Sequence, residues 1–350
     1  MFFVLEKNKI GIIKIKFKGG NKILGNNIII GINHIKDAQK ALKPFIKKTT
    51  LKYSHFLSSL CQGTIYLKLE NTQLSHSFKI RGAFNKMLKL TPEEKQKGII
   101  TCSSGNHGLA TAIAAKELGI TAKIVVPETT PRKKTDKIEK YNVDLLLYGD
   151  YDEAEQKALE LAHQEGKIYI SPYNDPDIIA GQGTIGLEIL EEFPEVEKVL
   201  VPIGGGGLLA GIAIAIKNKN RAIEVIGVQS EASPVMYESL KAGRILKSEE
   251  LNIQDSIADG LSGGIEEGSI TFKIAQKNVN KVILVKEESI KEAIRLLWEK
   301  DGQVVEGAGA VGPAVVLENK EQFKNKKTVM VISGGNIDDE LFNKITKVSK

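Results

Sequence analysis

The chain has 350 residues, 42% hydrophobic and 26% charged, which suits one large core or two domains. No apolar run reaches the ~18 residues of a membrane span, no secretory signal leads the chain, and Cys61 and Cys102 cannot make a disulfide framework, so a reducing cytoplasm is expected. Of the net charge of +6, residues 1–22 hold most: Lys7, Lys9, Lys14, Lys16, Lys18 and Lys22 stand against Glu6 alone, and the nearly neutral remainder argues against a nucleic-acid partner.

Residues 1–32 read as an N-terminal extension. Within it "IIKIKFKGG" alternates apolar residues with lysine, the pattern of an exposed edge strand protected by charge, or of a basic arm. Residues 33–94 read as helical and extended by turns. They include "NTQLSHSFKIRGAFNKM" (71–87), where Lys79 has short, hydroxylic and aromatic neighbours unlike those of a solvated lysine.

From about Gly98 the chain alternates regularly. "GIITCSS" predicts a strand and loop. "HGLATAIAAKELG" predicts a helix with Leu109, Ala112, Ile113 and Leu118 on one stripe, stopped by Gly119. "AKIVVP", "VDLLLYG" and "KIYISP" predict strands, separated by the helices "TPRKKTDKIEKY" and "YDEAEQKALELAHQEG". Helices between short apolar strands imply parallel pairing with both sheet faces covered. Residues 95–175 are therefore expected to form a small four-stranded domain. It is inserted into a larger one made of residues 33–94 and 176–350. That second series runs through "TIGLEILEEF", "KVLVPIGGGG", "LLAGIAIAIKNK", "IEVIGVQ", "KVILV", "SIKEAIRLLWEKDG", "GAVGPAVVLE" and "TVMVIS".

Three loops carry chemistry. Gly204, Gly205, Gly206 and Gly207 lie between an apolar strand and an apolar helix, where free amides and the helix dipole make an anion cradle. A nucleoside-triphosphate loop requires Lys and Ser or Thr after its glycines, and here Leu208 and Leu209 follow. A dinucleotide fingerprint matches weakly, as Gly205-x-Gly207-x-x-Ala210. Its acidic ribose ligand should end the next strand, which ends in Gln229, with Glu231 two residues beyond. One phosphate held by backbone fits better. Ser103, Ser104, Gly105, Asn106 and His107 form a second strand-to-helix loop suited to a carboxylate. Ser333 ends an apolar strand, and strand carboxyl ends are where open α/β sheets bind ligands.

One sheltered lysine, one phosphate cradle and one carboxylate seat are together the parts needed to hold pyridoxal phosphate and an amino acid. The motifs "SFKIRGA" (77–83), "SSGNHG" (103–108), "GGGGLLAG" (204–211) and "SGGN" (333–336) resemble those of the serine/threonine dehydratase (threonine ammonia-lyase) and serine racemase family. "AGQGTIGLEI" (180–189) and "VVEGAGA" (304–310) match it as well, so the resemblance covers about residues 33–350. It implies an α/β fold of two domains with parallel twisted sheets, the tryptophan-synthase-β-like type (pyridoxal-phosphate fold type II). It also implies a cytoplasmic homodimer acting on a small amino-acid substrate in amino-acid metabolism, including isoleucine biosynthesis.

The family implies roles residue by residue. Lys79 would hold the cofactor as an imine and act as the base at Cα. Phe78 would lie against the ring, Asn106 would bond the ring hydroxyl, and Ser333 would face the ring nitrogen. Gly204, Gly205, Gly206, Gly207 and Leu208 would bind phosphate through their amides. Ser103, Ser104, Gly105, Asn106 and His107 would surround the substrate carboxylate. A neutral serine at the ring nitrogen gives a mild electron sink, which favours prompt loss of a β-hydroxyl. Threonine would yield 2-oxobutanoate and serine pyruvate, each with ammonia.

Departures keep alternatives open. The family pattern Thr-Gly-Ser-Phe-Lys is here Ser75-His76-Ser77-Phe78-Lys79, so His76 replaces a glycine and would either tune substrate choice or point outward. Ser104 stands where racemases carry their second proton donor, which makes it a second catalytic candidate and leaves serine racemase open. Hydroxyaspartate dehydratase is the other alternative within the family. The racemase metal glutamate corresponds to Gln229, with the later ligand positions near Ser233 and Val235, so no metal is expected. Only seventeen residues follow Ser333, so no regulatory amino-acid-binding domain or isoleucine feedback is expected. Cysteine-synthase-like β-replacement, a silent cofactor carrier and a nicotinamide oxidoreductase are more distant readings.

Overall fold

The computed structural model describes residues 30–347, so the expected N-terminal edge strand lies outside the described residues. The chain opens with α1 (Ile32–Leu42), β1 (Leu51–Tyr53), α2 (His55–Cys61) and β2 (Thr64–Leu69). Next come α3 (Lys79–Leu88) and α4 (Pro92–Lys97). Thr91 caps α4 in a reciprocal pair with Glu94, and Pro92 occupies its first turn.

The alternating unit follows as β3 (Ile99–Cys102), α5 (Asn106–Glu117), β4 (Ala122–Val126), α6 (Arg132–Glu139), β5 (Asp144–Leu147), α7 (Tyr151–Glu165) and β6 (Ile168–Tyr169). Its strands form an all-parallel sheet in the order β5-β4-β3-β6. Side chains alternate across it. Ile100, Cys102 and Val125 pack with Ala154 and Ala158 of α7, whereas Ile124 and Val126 pack with Ala112 and Ile138 on the other face.

The chain then returns through α8 (Pro176–Glu192), β7 (Lys198–Pro202), α9 (Gly207–Lys219), β8 (Glu224–Ser230), α10 (Val235–Ala242), α11 (Ile270–Asn278) and β9 (Lys281–Val285). It ends with α12 (Glu287–Asp301), α13 (Gly307–Glu318), β10 (Lys327–Ile332) and α14 (Asp339–Thr346). The larger sheet has the order β1-β2-β10-β7-β8-β9. It is parallel except for β1, an antiparallel edge strand on β2 that the alternating pattern did not announce. Met330, Ile332, Leu200, Ile226 and Val228 face α12 and α13 in one core. Val329, Val331, Val199, Val201 and Val225 face α8 and α9 in another.

A third core joins the two sheets: Ile80, Phe84 and Met87 of α3 meet Ala110 and Ala114 of α5, Ile35 of α1 and Ile178 of α8. This corrects the expected stripe on α5. Leu109, Ile113 and Leu118 pack on hydrophobic cores but stay half-buried, whereas Ala110, Ala112 and Ala114 are fully buried, so α5 is covered on more than one face. Helix α8 likewise starts at Pro176, eight residues before the predicted Thr184, with the side chain of Asp175 capping its first turn.

Candidate active site

Strand ends determine where the polar loops meet. Ser103–His107 follow β3, Gly204–Gly207 follow β7, and Ser333 follows β10. The 171–174 loop follows β6. These carboxyl ends converge on one cleft of about 760 Å³, lined by all the residues expected to hold cofactor or substrate: Phe78, Lys79, Ser103–His107, Gly204–Leu208 and Ser333. Sequence spacing alone could not show that they share a cavity.

Lys79 is the first residue of α3 and is half-buried. Its Nζ donates to the Pro172 carbonyl at 2.8 Å and lies 5.3 Å from the centre of the Phe78 ring. Burial pushes its ammonium down to about 8, with the charge of Glu306 opposing the shift. At neutral pH a usable fraction of the amine is therefore the free base.

Two helices enter the cleft with uncapped first turns: α5, whose N-cap is Gly105, and α9, whose N-cap is Gly206. Their amides are thus available to an anion. Gly206 has φ +89, a conformation that an L side chain rarely adopts. Gly205 is packed against the Tyr173 ring, and a Cβ there would collide with it. Thr271 Oγ1 donates to the Gly205 carbonyl at 2.7 Å, so the loop is held from outside the cleft.

The polar loop is partly spent on itself. Ser103 Oγ accepts from the Gly105 amide at 3.3 Å. His107 Nε2 lies 3.1 Å from the Ile170 carbonyl, and burial, together with the charge of Lys79, pushes this imidazole down to about 3, so it is neutral and donates. Among the described residues, Ser104 Oγ and Ser333 Oγ make no hydrogen bond, and both line the cavity.

Sequence reasoning gave no role to Glu306, Asn336 or Tyr173. Glu306 is buried, and burial followed by the charge of Asp259 pushes its carboxyl up to about 7, against the hydrogen bonds from Asn106 and Asn336. The available signals were the "VVEGAGA" and "SGGN" motifs, which name these residues without saying where they point. Tyr173 had no comparable signal.

Other nominated positions lie elsewhere. His76 is exposed at φ +55 and does not line the cleft, which fits the outward of the two readings. Gln229 is buried, and its Oε1 accepts from the Tyr237 amide at 2.9 Å. It therefore anchors α10 and cannot serve as a ribose ligand. Ser233 Oγ nearby is buried without a partner.

The family model described as pyridoxal-phosphate dependent enzyme matches residues 42–334. The chain is 45% identical to L-threonine ammonia-lyase of Thermotoga maritima over 318 residues, covering 91% of this chain and 78% of that protein. It is 42% identical over 320 residues to the Escherichia coli K12 protein named L-threonine dehydratase catabolic TdcB, covering 91% and 96%. Among solved structures, maize serine racemase superposes with a TM-score of 0.84 at 31% identity, covering 91% of this chain and 99% of that one. The processed form of threonine deaminase isoform 2 from Solanum lycopersicum superposes with a TM-score of 0.83 at 34% identity, covering 98% and 99%.

Proposed function

We propose that this chain, which belongs to the family of pyridoxal-phosphate dependent enzymes, is an L-threonine/L-serine dehydratase giving 2-oxobutanoate or pyruvate plus ammonia. The observation that carries the proposal is Lys79: an amine of lowered basicity, in one cleft with an uncapped glycine loop and a polar carboxylate seat.

The residues present fit pyridoxal phosphate. The uncapped start of α9 suits its phosphate, Phe78 offers a ring face, and Lys79 offers the amine. When bound, this cofactor supplies an electron sink that weakens the substrate Cα–H bond. Gly204–Leu208 would hold the phosphate by backbone amides, and Asn106 would orient the ring hydroxyl. Ser333, which lines the cleft, would present a neutral hydroxyl to the ring nitrogen. Lys79 would anchor the cofactor and, once substrate has displaced it as the free amine, would accept the Cα proton at Nζ. The amides and hydroxyls of the Ser103–His107 loop that are not already bonded within the fold would bind the substrate carboxylate and fix which bond faces Lys79.

Ser104 supports a second reading, racemization, because its unbonded hydroxyl lies in the same cleft. Hydroxyaspartate is the alternative substrate. The deciding experiment incubates purified protein and pyridoxal phosphate with L-threonine, L-serine and L-threo-3-hydroxyaspartate separately, and assays 2-oxo acid and D-enantiomer. 2-Oxobutanoate as the main product supports the dehydratase. D-serine ahead of pyruvate replaces it with the racemase, and oxaloacetate alone replaces the substrate. No product from any of them overturns the substrate class.

The proposal extends to a cytoplasmic homodimer, checked by light scattering and cell fractionation. Residues 95–175 are taken as a domain that swings over substrate, and identical structures with and without a substrate analogue would count against that motion. Growth without isoleucine, restored in a strain lacking its own threonine dehydratase, tests a biosynthetic use of the product.

A further inference from the structure

The buried carboxylate of Glu306 is the part of the cleft that these roles leave unused. Glu306 precedes α13 as its N-cap residue, yet its side chain caps nothing in that helix. It turns to the cleft instead. Its Oε1 accepts from Asn106 Nδ2 at 2.7 Å, and its Oε2 accepts from the Asn336 amide at 3.2 Å. Asn336 Nδ2 donates to Asn106 Oδ1 at 2.7 Å and to the Ser75 carbonyl at 2.9 Å.

This circuit fixes the direction of the Asn106 amide. The Ser75 carbonyl can only accept, so Asn336 Nδ2 is the group that faces both it and Asn106, which leaves Asn106 Nδ2 facing Glu306. The tie from Asn336 Nδ2 requires Oδ1 on the other side. One N–H of Asn106 Nδ2 is consumed by Glu306, and the second is left over. A flipped amide would set oxygen against carboxylate and nitrogen against nitrogen. The circuit also joins three segments that are far apart in sequence: the start of α5, the start of α13 and the loop after β10. Glu306 further supplies the opposite charge acting on Lys79.

We infer that Glu306 is a positioning residue: by accepting from Asn106 it aims the remaining Nδ2 N–H into the cleft, toward the hydroxyl of the pyridoxal ring. This rests on the assignment of pyridoxal phosphate to the cleft and not on which amino acid is the substrate.

Glu306→Gln breaks the circuit, because either orientation of the new amide sets a donor against Asn106 Nδ2 or against the Asn336 N–H. Combining it with Asn106→Asp repairs the circuit. Gln Nε2 then donates to Asp, Gln Oε1 accepts from Asn336, and the charge is conserved, but no N–H remains for the ring. A purely structural role and a cofactor-aiming role therefore separate.

The experiment titrates pyridoxal phosphate into the resolved wild type, E306Q and the double variant E306Q/N106D, reading cofactor absorbance, dissociation constant and thermal midpoint. Expected results are a roughly 10-fold or greater loss of affinity with a shifted absorbance band in E306Q. The double variant should recover the thermal midpoint without recovering affinity or band position. Unchanged affinity and spectrum in E306Q overturn the inference, as does recovery of both in the double variant. If E306Q does not fold, Glu306→Asp, which keeps both acceptors, should retain the spectrum with reduced affinity; a shifted spectrum equal to that of N106D overturns the inference. Failure of the wild type itself to bind the cofactor would instead sink the assignment of the cleft.

Discussion

The main-chain amide of Phe78 donates to the carbonyl of Ser333 at 3.0 Å. Ser77 and Gly334 form a bridge beside it, and the Gly335 amide donates to the His76 carbonyl at 2.9 Å. The segment that presents Lys79 is thus fastened to the end of β10, and amine and hydroxyl keep a fixed relation across the cleft. Changing Lys79→Ala should leave this backbone intact while lowering turnover by ~10³-fold or more and abolishing the covalent cofactor band. Unchanged activity would remove the basis of the dehydratase reading.

The lowered basicity of Lys79 predicts a pH profile. Only the neutral amine attacks an aldehyde, so cofactor capture by the resolved enzyme should rise with pH and level off above about 8. A solvated lysine would keep rising toward its ordinary value near ~10.4. Stopped-flow measurement of capture between pH 6 and 10 distinguishes the two curves.

Gly205 and Tyr173 set a steric test. Gly205→Ala should displace the loop from the Tyr173 ring and weaken cofactor retention by about 10-fold, read from equilibrium dialysis. Retention equal to wild type would mean that the phosphate is bound elsewhere.

His76 occupies a left-handed backbone position outside the cleft. His76→Gly should therefore change stability by no more than about 1 kcal/mol and leave substrate preference unaltered. A changed threonine-to-serine ratio would show that His76 reaches the substrate.

Below the cleft, Arg81 is fully buried between two carboxylates. Its Nε and Nη2 hold Glu70 at 2.8 and 2.9 Å, its Nη1 and Nη2 hold Glu188 at 2.6 and 2.9 Å, and Lys68 Nζ reaches Glu188 at 2.7 Å. Arg81→Met should cost ~3–5 kcal/mol in urea unfolding, because it strands buried charge. Burial would raise Glu188, but Arg81 and Lys68 outweigh it and hold the carboxyl below its ordinary value. Its contribution is then complete above the unfolded value near ~4.3 and is lost as pH falls through the lower folded value. Glu188→Gln removes that contribution at every pH. Its unfolding free energy, measured in urea, should therefore be lower than wild type at neutral pH and fall less steeply on acidification below about 4.3. Equal slopes would mean that Glu188 titrates alike in both states.

The strands from β3 onward were legible because each is a short apolar run between turn residues. The cleft loops were legible because their glycines and hydroxyls exceed what a turn or a cap requires. Helix α8 was half hidden, since the expected helix began only at Thr184; in the structure Gly181 and Gly183 allow α8 to lie against the backbones of α3 and α9. The edge strand β1 was missed because three residues make no period. Arg81, Glu70 and Glu188 look like ordinary surface charges in sequence, and only their distant pairing shows them to be interior. The direction of the Glu306 side chain is likewise a tertiary fact.

The place of β10 has a consequence for synthesis on the ribosome. Lys327–Ile332 is the last strand made, yet it inserts between β2 and β7, pairing Lys327 with Thr64 and Thr328 with Lys198. The four strands from Ile99 to Tyr169 pair only among themselves and can close early. The larger sheet must wait, with the facing edges of β2 and β7 unpaired, for on the order of ten seconds at ordinary elongation rates. A nascent chain stalled before Lys327 therefore carries two open apolar edges. It is the state that chaperones would hold and that truncation would condemn to aggregation.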